Sequence, residues 1–521
     1  MNFNDPQRAE AELRRAIDSG NADSIAQAAT SNIWPLFSAH HDMLVAAIVA
    51  LPSATLERHP VLRVLHPMTA VLAQTTRPFL PVAPPDDSRA MPPAEVDALV
   101  VAHMMACRMS GNVTAALGYA RRLEDRMMRT RVEARDRMDG PLWFYHHQIG
   151  TTLLVAGDTG RALLEFATSR QLGSFSMQPY AERVALGQAA VAHAVRGALA
   201  EAERVLSDAA RMPAPSAAFR ALSATSERTA AALIAVERMS DDMDDRLMEL
   251  ESYDSIQMTW PFALLARARA FLARQQPEDA LEAIQLAAGS HRTDPGSFAA
   301  EVIAAMSIKA LLAIGDIPRA RSMANERPDA GVLTRLATVR VSLHEGRFDD
   351  ASQALQFLAR DRRLGPAQRA ESVLLSGWLE LASTHDLGRD TALQICRIAR
   401  RADNRRLLAM MPRQLVDHVR QRLSSESAAD FTAVTAGLAN FEMRARPALT
   451  RGELRVLNAL PMNDSVAAMA SSFHVSPNTI KSQLRSLYRK LGCSTRAEAI
   501  SVAQRLNILE VTPAPAISAR A

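Results

Sequence analysis

The sequence predicts an all-α chain, a helical-hairpin repeat solenoid followed by a small four-helix domain at the C-terminal end. Three observations predict it. Aromatic residues make up only 5% of the 521 residues, and the chain leans on Ala, Leu, Arg and Glu, which favours helices over sandwiches and barrels. A Gly-to-Ala spacing recurs through the middle of the chain. The C-terminal segment carries apolar stripes at helical period together with most of the excess positive charge.

Residues 1–76 read as an N-terminal helical segment. Residues 77–93 hold Pro78, Pro81, Pro84, Pro85, Pro92 and Pro93, which forbid a continuous helix and predict a linker. The array is expected over 94–425. In it a turn residue precedes by five positions an Ala that opens the next helix: Gly111 and Ala116, Gly157 and Ala162, Gly197 and Ala202, Gln275 and Ala280, Gly315 and Ala320, Gly346 and Ala351. The steps between turns are 46, 40, 78, 40 and 31 residues. A degenerate unit around Arg238-Met239-Ser240 fills the double-length step and brings the reading to about seven hairpins. Gly reverses the chain because it takes positive φ, and a small Ala lets antiparallel helices approach closely. The pattern resembles tetratricopeptide-type repeats, with a longer and more variable spacing. Trp143-Phe144-Tyr145 read as packing between hairpins, with a ligand groove as the alternative.

A break near Ser424 leads into a connector over 426–447, and residues 510–521 read as a disordered tail. Between them, 448–509 parses into four short helices. Thr450-Arg-Gly-Glu453 fits a capping box, and Leu454, Leu457 and Leu460 form the first stripe. The second helix buries Val466, Met469, Ala470 and Phe473, with Asn463 before it at a turn where Asn tolerates left-handed geometry. Ser476-Pro477 opens the third helix and Gly492 closes it. At ~100° per residue Ile480, Leu484, Leu487 and Leu491 share one side, while Asn478, Lys481, Ser482, Arg485 and Arg489 lie about 145° away. Thr495-Arg-Ala-Glu498 caps the fourth helix, whose stripe is Ala499, Val502, Ala503 and Leu506. A short helix, the three-residue turn His474-Val475-Ser476 and a two-faced helix make a helix-turn-helix, whose second helix enters the major groove of DNA.

Charge agrees with that partner. From Pro447 to Ala521 nine basic residues stand against four acidic ones, whereas the chain as a whole carries +4. Leu449-Thr-Arg-Gly-Glu-Leu-Arg-Val-Leu457, Ala468-Met-Ala470, Val475-Ser-Pro-Asn-Thr-Ile-Lys-Ser-Gln-Leu484 and Tyr488-Arg-Lys-Leu-Gly492 resemble the LuxR-type helix-turn-helix domain. The resemblance implies base or phosphate contacts at Thr479, Lys481, Ser482 and Arg485. Gly452 and Arg455 stand where that family has Arg and Glu, Asn463 replaces a turn Gly, and Gln483 stands where His is common. Leu51-Pro52 with Leu56-Glu-Arg-His-Pro-Val-Leu62 is similar to the helical region of MalT-like LuxR regulators, which carry an ATPase module ahead of it.

Such a module would need a Gly-rich loop ending in Lys-Ser/Thr. The chain's three lysines are Lys309, Lys481 and Lys490, and none follows such a loop. His40-His41 and His146-His147 are adjacent pairs that point to different sides of a helix and cannot share a metal. Asp241-Asp242-Met243-Asp244-Asp245 lacks the Gly and Glu of a calcium loop and reads as a helix N-terminus. No cofactor, metal or catalytic constellation is expected, so the protein is not read as an enzyme. Cys107, Cys396 and Cys493 lack CxxC spacing, no apolar run approaches the ~20 residues of a membrane span, and no secretory signal opens the chain. A reduced cytoplasm is expected.

The sequence thus predicts a cytoplasmic, sequence-specific DNA-binding transcriptional regulator, with the helix over 477–491 in the major groove of promoter DNA. Its array would sense an effector or dock a protein such as RNA polymerase, and a homodimer would read paired half-sites. The alternative is a helical-repeat interaction scaffold whose terminal domain serves docking or dimerisation. The candidate DNA-binding residues are Asn478, Thr479, Lys481, Ser482, Arg485 and Arg489.

Overall fold

Left-handed turn residues set the architecture of the computed structural model, which describes residues 5–72, 92–129, 141–176, 180–214, 217–250, 259–326, 331–441, 449–463, 465–491, 493–505 and 509. Among these residues every regular element is a helix, and the one extended pairing is an isolated parallel bridge between Pro412 and Phe441. No described helix is long and apolar enough to cross a membrane.

Six helices come first: α1 (Pro6–Asp18), α2 (Ala22–Ser31), α3 (Ile33–Ala39), α4 (His41–Val49), α5 (Ser53–Arg58) and α6 (Pro60–Leu72). They share a core of Leu13, Leu36, Leu44, Ile48, Leu56 and Leu62. Through Val61 and Val64 the helix α6 also packs on the first hairpin of the array, at Leu99, Ala102 and Ala106. The proline-rich stretch expected as a linker lies outside the described residues up to residue 91.

Eight hairpins follow among the described residues. The first four are α7 (Pro93–Met109) with α8 (Val113–Arg129), α9 (Pro141–Val155) with α10 (Thr159–Gly173), α11 (Ala181–Arg196) with α12 (Leu199–Arg211), and α13 (Ala217–Arg238) with α14 (Met243–Met248). The last four are α15 (Trp260–Ala273) with α16 (Pro277–Ser290), α17 (Phe298–Ile314) with α18 (Ile317–Asn325), α19 (Val332–Glu345) with α20 (Phe348–Ala359), and α21 (Pro366–Thr384) with α22 (Arg389–Ala399).

Each turn turns on a residue with positive φ: Gly111, Gly157, Gly197, Met239, Gln275, Gly315, Gly346 and His385. Met239 is the degenerate unit that the double-length step required. His385 makes an eighth hairpin that the Gly-to-Ala spacing misses, because neither residue type marks it. Ala116, Ala162, Ala202, Ala280, Ala320 and Ala351 are all fully buried, so a larger side chain at any of them would force the paired helices apart.

The two helices of a hairpin differ. The first is buried nearly all round, as Phe262, Leu264, Leu265, Ala266, Ala268 and Leu272 are in α15. The second buries a single stripe, Ala280, Ala283, Ile284 and Ala287 in α16, so inner and outer layers follow from composition. The array then coils onto itself. The Thr114 amide donates to Asp294 (2.8 Å), the Gln368 side chain to the Val195 carbonyl (3.1 Å), and Arg406 to Glu237 (2.8 Å). Trp143 and Tyr145 are buried, and Trp143 meets Trp34, Phe144 and Tyr180 edge-on, which is inter-helix packing.

After the last hairpin come α23 (Arg405–Ala409), α24 (Arg413–Arg422) and α25 (Ser425–Thr435). The segment expected as a connector over 426–447 is packed onto the array as far as Phe441. Phe431 is buried in the core around Trp378, and the Phe441 ring lies 5.7 Å from His344 and 5.4 Å from Trp378. The remaining helices, α26 (Arg451–Ala459), α27 (Val466–Phe473), α28 (Pro477–Leu491) and α29 (Arg496–Arg505), enclose a separate core. The tail beyond 509 lies outside the described residues, as do Leu506 and Gly492.

Candidate nucleic-acid interface

The third helix of the terminal domain, α28, starts where capping chemistry places it. Ser476 accepts from the Thr479 amide (3.1 Å), and Pro477 fills the first position, where a missing N–H costs nothing. Ile480, Leu484, Leu487 and Leu491 are buried against Val456, Leu457, Leu460, Met469 and Ala470. Asn478, Thr479, Lys481, Ser482, Arg485 and Arg489 are all exposed. None of the ion pairs among the described residues engages Lys481, Arg485 or Arg489. The Thr479 hydroxyl is 2.9 Å from that of Ser476 and so already belongs partly to the cap.

The preceding helix and turn differ from expectation in two places. Asn463 is extended (φ −128, ψ 123) rather than left-handed, and its side chain donates to the Ala459 carbonyl (3.1 Å). The left-handed residue is His474 (φ 56), which ends α27 and starts the turn into α28. The N-cap of α27 is Ser465, which accepts from the Ala468 amide (3.1 Å). Leu454, expected in the first stripe, is exposed, and Val456 is buried instead. At about 100° per residue Val456 lies ~40° from Leu460, whereas Leu454 lies ~120° from it.

Comparison with known proteins falls on these same helices. Residues 447–503 match the family of bacterial regulatory proteins, luxR family. They form a LuxR-family helix-turn-helix domain. Two transcriptional regulators are similar to the chain over short stretches. The probable transcriptional regulatory protein NarL of Mycobacterium tuberculosis is 37% identical over 83 residues, 15% of this chain and 38% of that protein. The transcriptional regulatory protein YdfI of Bacillus subtilis is 40% identical over 63 residues, 12% of this chain and 30% of that protein. The chain therefore spans about a third of the length of these relatives.

Within the LuxR-type domain one carboxylate organises two helices. Glu453 completes the capping box, accepting from the Thr450 amide (2.7 Å) while the Thr450 hydroxyl accepts from the Glu453 amide (3.3 Å). The same carboxylate accepts from Lys490 at 2.7 Å. Burial works to raise this carboxyl, but Lys490, Ser486 and Thr450 override it and bring it to about 2. The capping role was legible in the sequence, whereas the Lys490 partnership was not, since the two residues are 37 positions apart. Arg496 donates to the carbonyls of Leu460 and Asn463 and so ties α29 to the loop before α27. No spacing signals that contact. The second capping box is present, with Thr495 and Glu498 exchanging bonds of 3.2 Å.

Two departures from the family pattern meet in space. A Cβ on Gly452 would stand 2.6 Å from the Gln483 amide nitrogen. The absent side chain at one position thus makes room for the altered one at the other. Among the described residues no group of three His, Cys, Asp or Glu could hold a metal.

Proposed function

We propose that this chain is a sequence-specific DNA-binding transcriptional regulator. Helix α28 enters the major groove, and the helical array senses an effector or binds a protein partner. The reading rests on one observation above all: α28 seals its apolar side in the domain core and leaves Asn478, Lys481, Ser482, Arg485 and Arg489 open on the other. The luxR-family match and the names of the relatives support it. The groove is ~12 Å wide and accepts a helix, and Arg or Lys reaches the O6 and N7 acceptors of guanine. Lys481 lies in the N-terminal part of α28, where such helices meet base edges, Arg485 follows one turn on at mid-helix, and Arg489 one turn further, toward the phosphates.

The test is a mobility-shift titration of the full chain on genomic fragments that it selects. Lys481→Ala and Arg485→Ala are each expected to weaken specific binding by about 1–3 kcal/mol. Unchanged affinity in both variants would remove α28 from the interface and favour a docking role for the domain.

A further inference from the structure

Among the described residues of the array, Arg108, Arg269, Lys309, Arg340 and Arg406 are buried cations. Four of them share two carboxylates. Glu237 takes Arg269 and Arg406 at 2.8 Å each, and Glu371 takes Lys309 at 2.9 Å and Arg340 at 3.0 Å. Arg108 has no carboxylate partner among the described residues. Its Nη1 donates to the Gln148 carbonyl (3.1 Å) and the Thr152 hydroxyl (2.9 Å), and its Nη2 to Oε1 of Gln148 (2.6 Å). Every acceptor is neutral, and its Nε is buried without a hydrogen-bond partner.

This arrangement is costly by the chain's own standard. A buried charge is retained where something compensates it, and the other four cations are compensated. Burial lowers the Arg108 guanidinium to about 10, which leaves it charged at neutral pH. The adjacent His147, lowered to about 3 by burial and then by Arg108, is neutral and adds no second cation. A guanidinium has five N–H donors in a planar fork, of which Gln148 and Thr152 engage three and fix the plane. The donors left over suit the paired oxygens of a carboxylate or phosphate, and such charge-assisted bonds are the strong ones.

We propose that Arg108 anchors a binding site for a small anionic ligand that presents carboxylate or phosphate oxygens. The inference rests on the sensing role proposed for the array and gives the effector a chemical class. Its place in the fold suits that role. Arg108 lies in the last turn of α7, just before the left-handed Gly111, whose missing side chain admits the Arg292 carbonyl. The Thr114 amide on the other side of that turn is held by Asp294. The Arg108 side chain itself reaches across to α9, at Gln148 and Thr152, so a ligand here sits between the first two hairpins.

The experiment is thermal unfolding of the full chain at constant ionic strength made up with chloride, with inorganic phosphate or acetate as probes. The wild-type midpoint rises saturably with one of them, phosphate marking a phosphoryl ligand and acetate a carboxylate. Arg108→Met shows no response, and its midpoint in chloride alone is at or above wild type, since an unpaired buried charge is gone. Gly20→Ala, which strains a turn outside the array and leaves Arg108, Gln148 and Thr152 untouched, retains the response. A wild type that answers neither probe more than chloride, or an Arg108→Met variant that answers equally or is simply destabilised, overturns the site. Because no DNA is present, the Lys481→Ala/Arg485→Ala chain must respond as wild type does. Failure of DNA binding would therefore sink the regulator reading and leave this one standing.

Discussion

The Lys490 ammonium lies 2.7 Å from the Glu453 carboxylate and ties the last turn of α28 to the first turn of α26. Because Glu453 also caps α26, one side chain sets both the start of a supporting helix and the angle at which the candidate recognition helix leaves the core. Glu453→Gln keeps the shape and removes the charge. It is expected to destabilise the domain by about 1.5–3 kcal/mol, the worth of hydrogen bonds to a charged group. Hydrogen-exchange protection of α26 and α28 in the full chain reads that loss directly.

The same pair gives the domain an acid limit. Glu453 is held at about 2, below the ordinary 4.5. A carboxyl that ionises more readily in the folded state stabilises the fold above its unfolded value and loses that contribution as pH falls. Protection in α26 and α28, corrected for intrinsic exchange, should therefore decline between pH 4.5 and 2 in the wild type. In Glu453→Gln it should be low throughout and flatter with pH.

Arg489 is exposed and lies a turn beyond Arg485 on the same face. A residue that meets phosphate alone contributes affinity without sequence information. Arg489→Ala should weaken binding to all duplexes alike and reduce the slope of log affinity against log salt by about one. A change confined to one DNA sequence would instead place Arg489 at a base edge.

Two glycines with positive φ separate backbone strain from steric conflict. Gly20 (φ +67) has open space where a Cβ would stand, whereas at Gly197 (φ +75) that atom would lie 2.3 Å from the Ala367 Cβ. Gly20→Ala should cost about 1 kcal/mol, the left-handed penalty alone. Gly197→Ala adds displacement of the seam between α11 and α21, so its urea midpoint should fall by clearly more.

The buried cations predict a rise in stability in mild base. Burial lowers Lys309 to about 8 from the ordinary 10.5, even though Glu371 works against the shift. Above pH 8 the unfolded chain keeps a proton that the folded chain has released, so stability grows with pH in that window. The wild-type melting temperature should rise from pH 7.5 to 9.5 by more than that of Lys309→Met. Glu371→Gln should cost about 3–5 kcal/mol, since it leaves Lys309 and Arg340 buried against a neutral amide.

What the sequence determined by itself was what neighbours along the chain decide. Ser476-Pro477 and Thr450 fix helix starts through their own capping atoms. Ile480, Leu484, Leu487 and Leu491 define a buried side through the helical period, and the glycine turns declare themselves because few residues accept positive φ. The opposite side of α28 was legible for the same reason. Tertiary structure alone decided the rest. Asn463 is extended rather than left-handed, Arg496 spans the carbonyls of Leu460 and Asn463, and Phe431 and Phe441 dock a presumed connector onto the array. The charge pairs Glu237 with Arg406 and Glu371 with Lys309 lie 169 and 62 positions apart, and only the coiling of the hairpins brings them into one interior. Periodicity and caps are set within a turn or two of helix. A buried charge finds its partner, or lacks one as Arg108 does, only when the chain returns, and nothing local encodes that return.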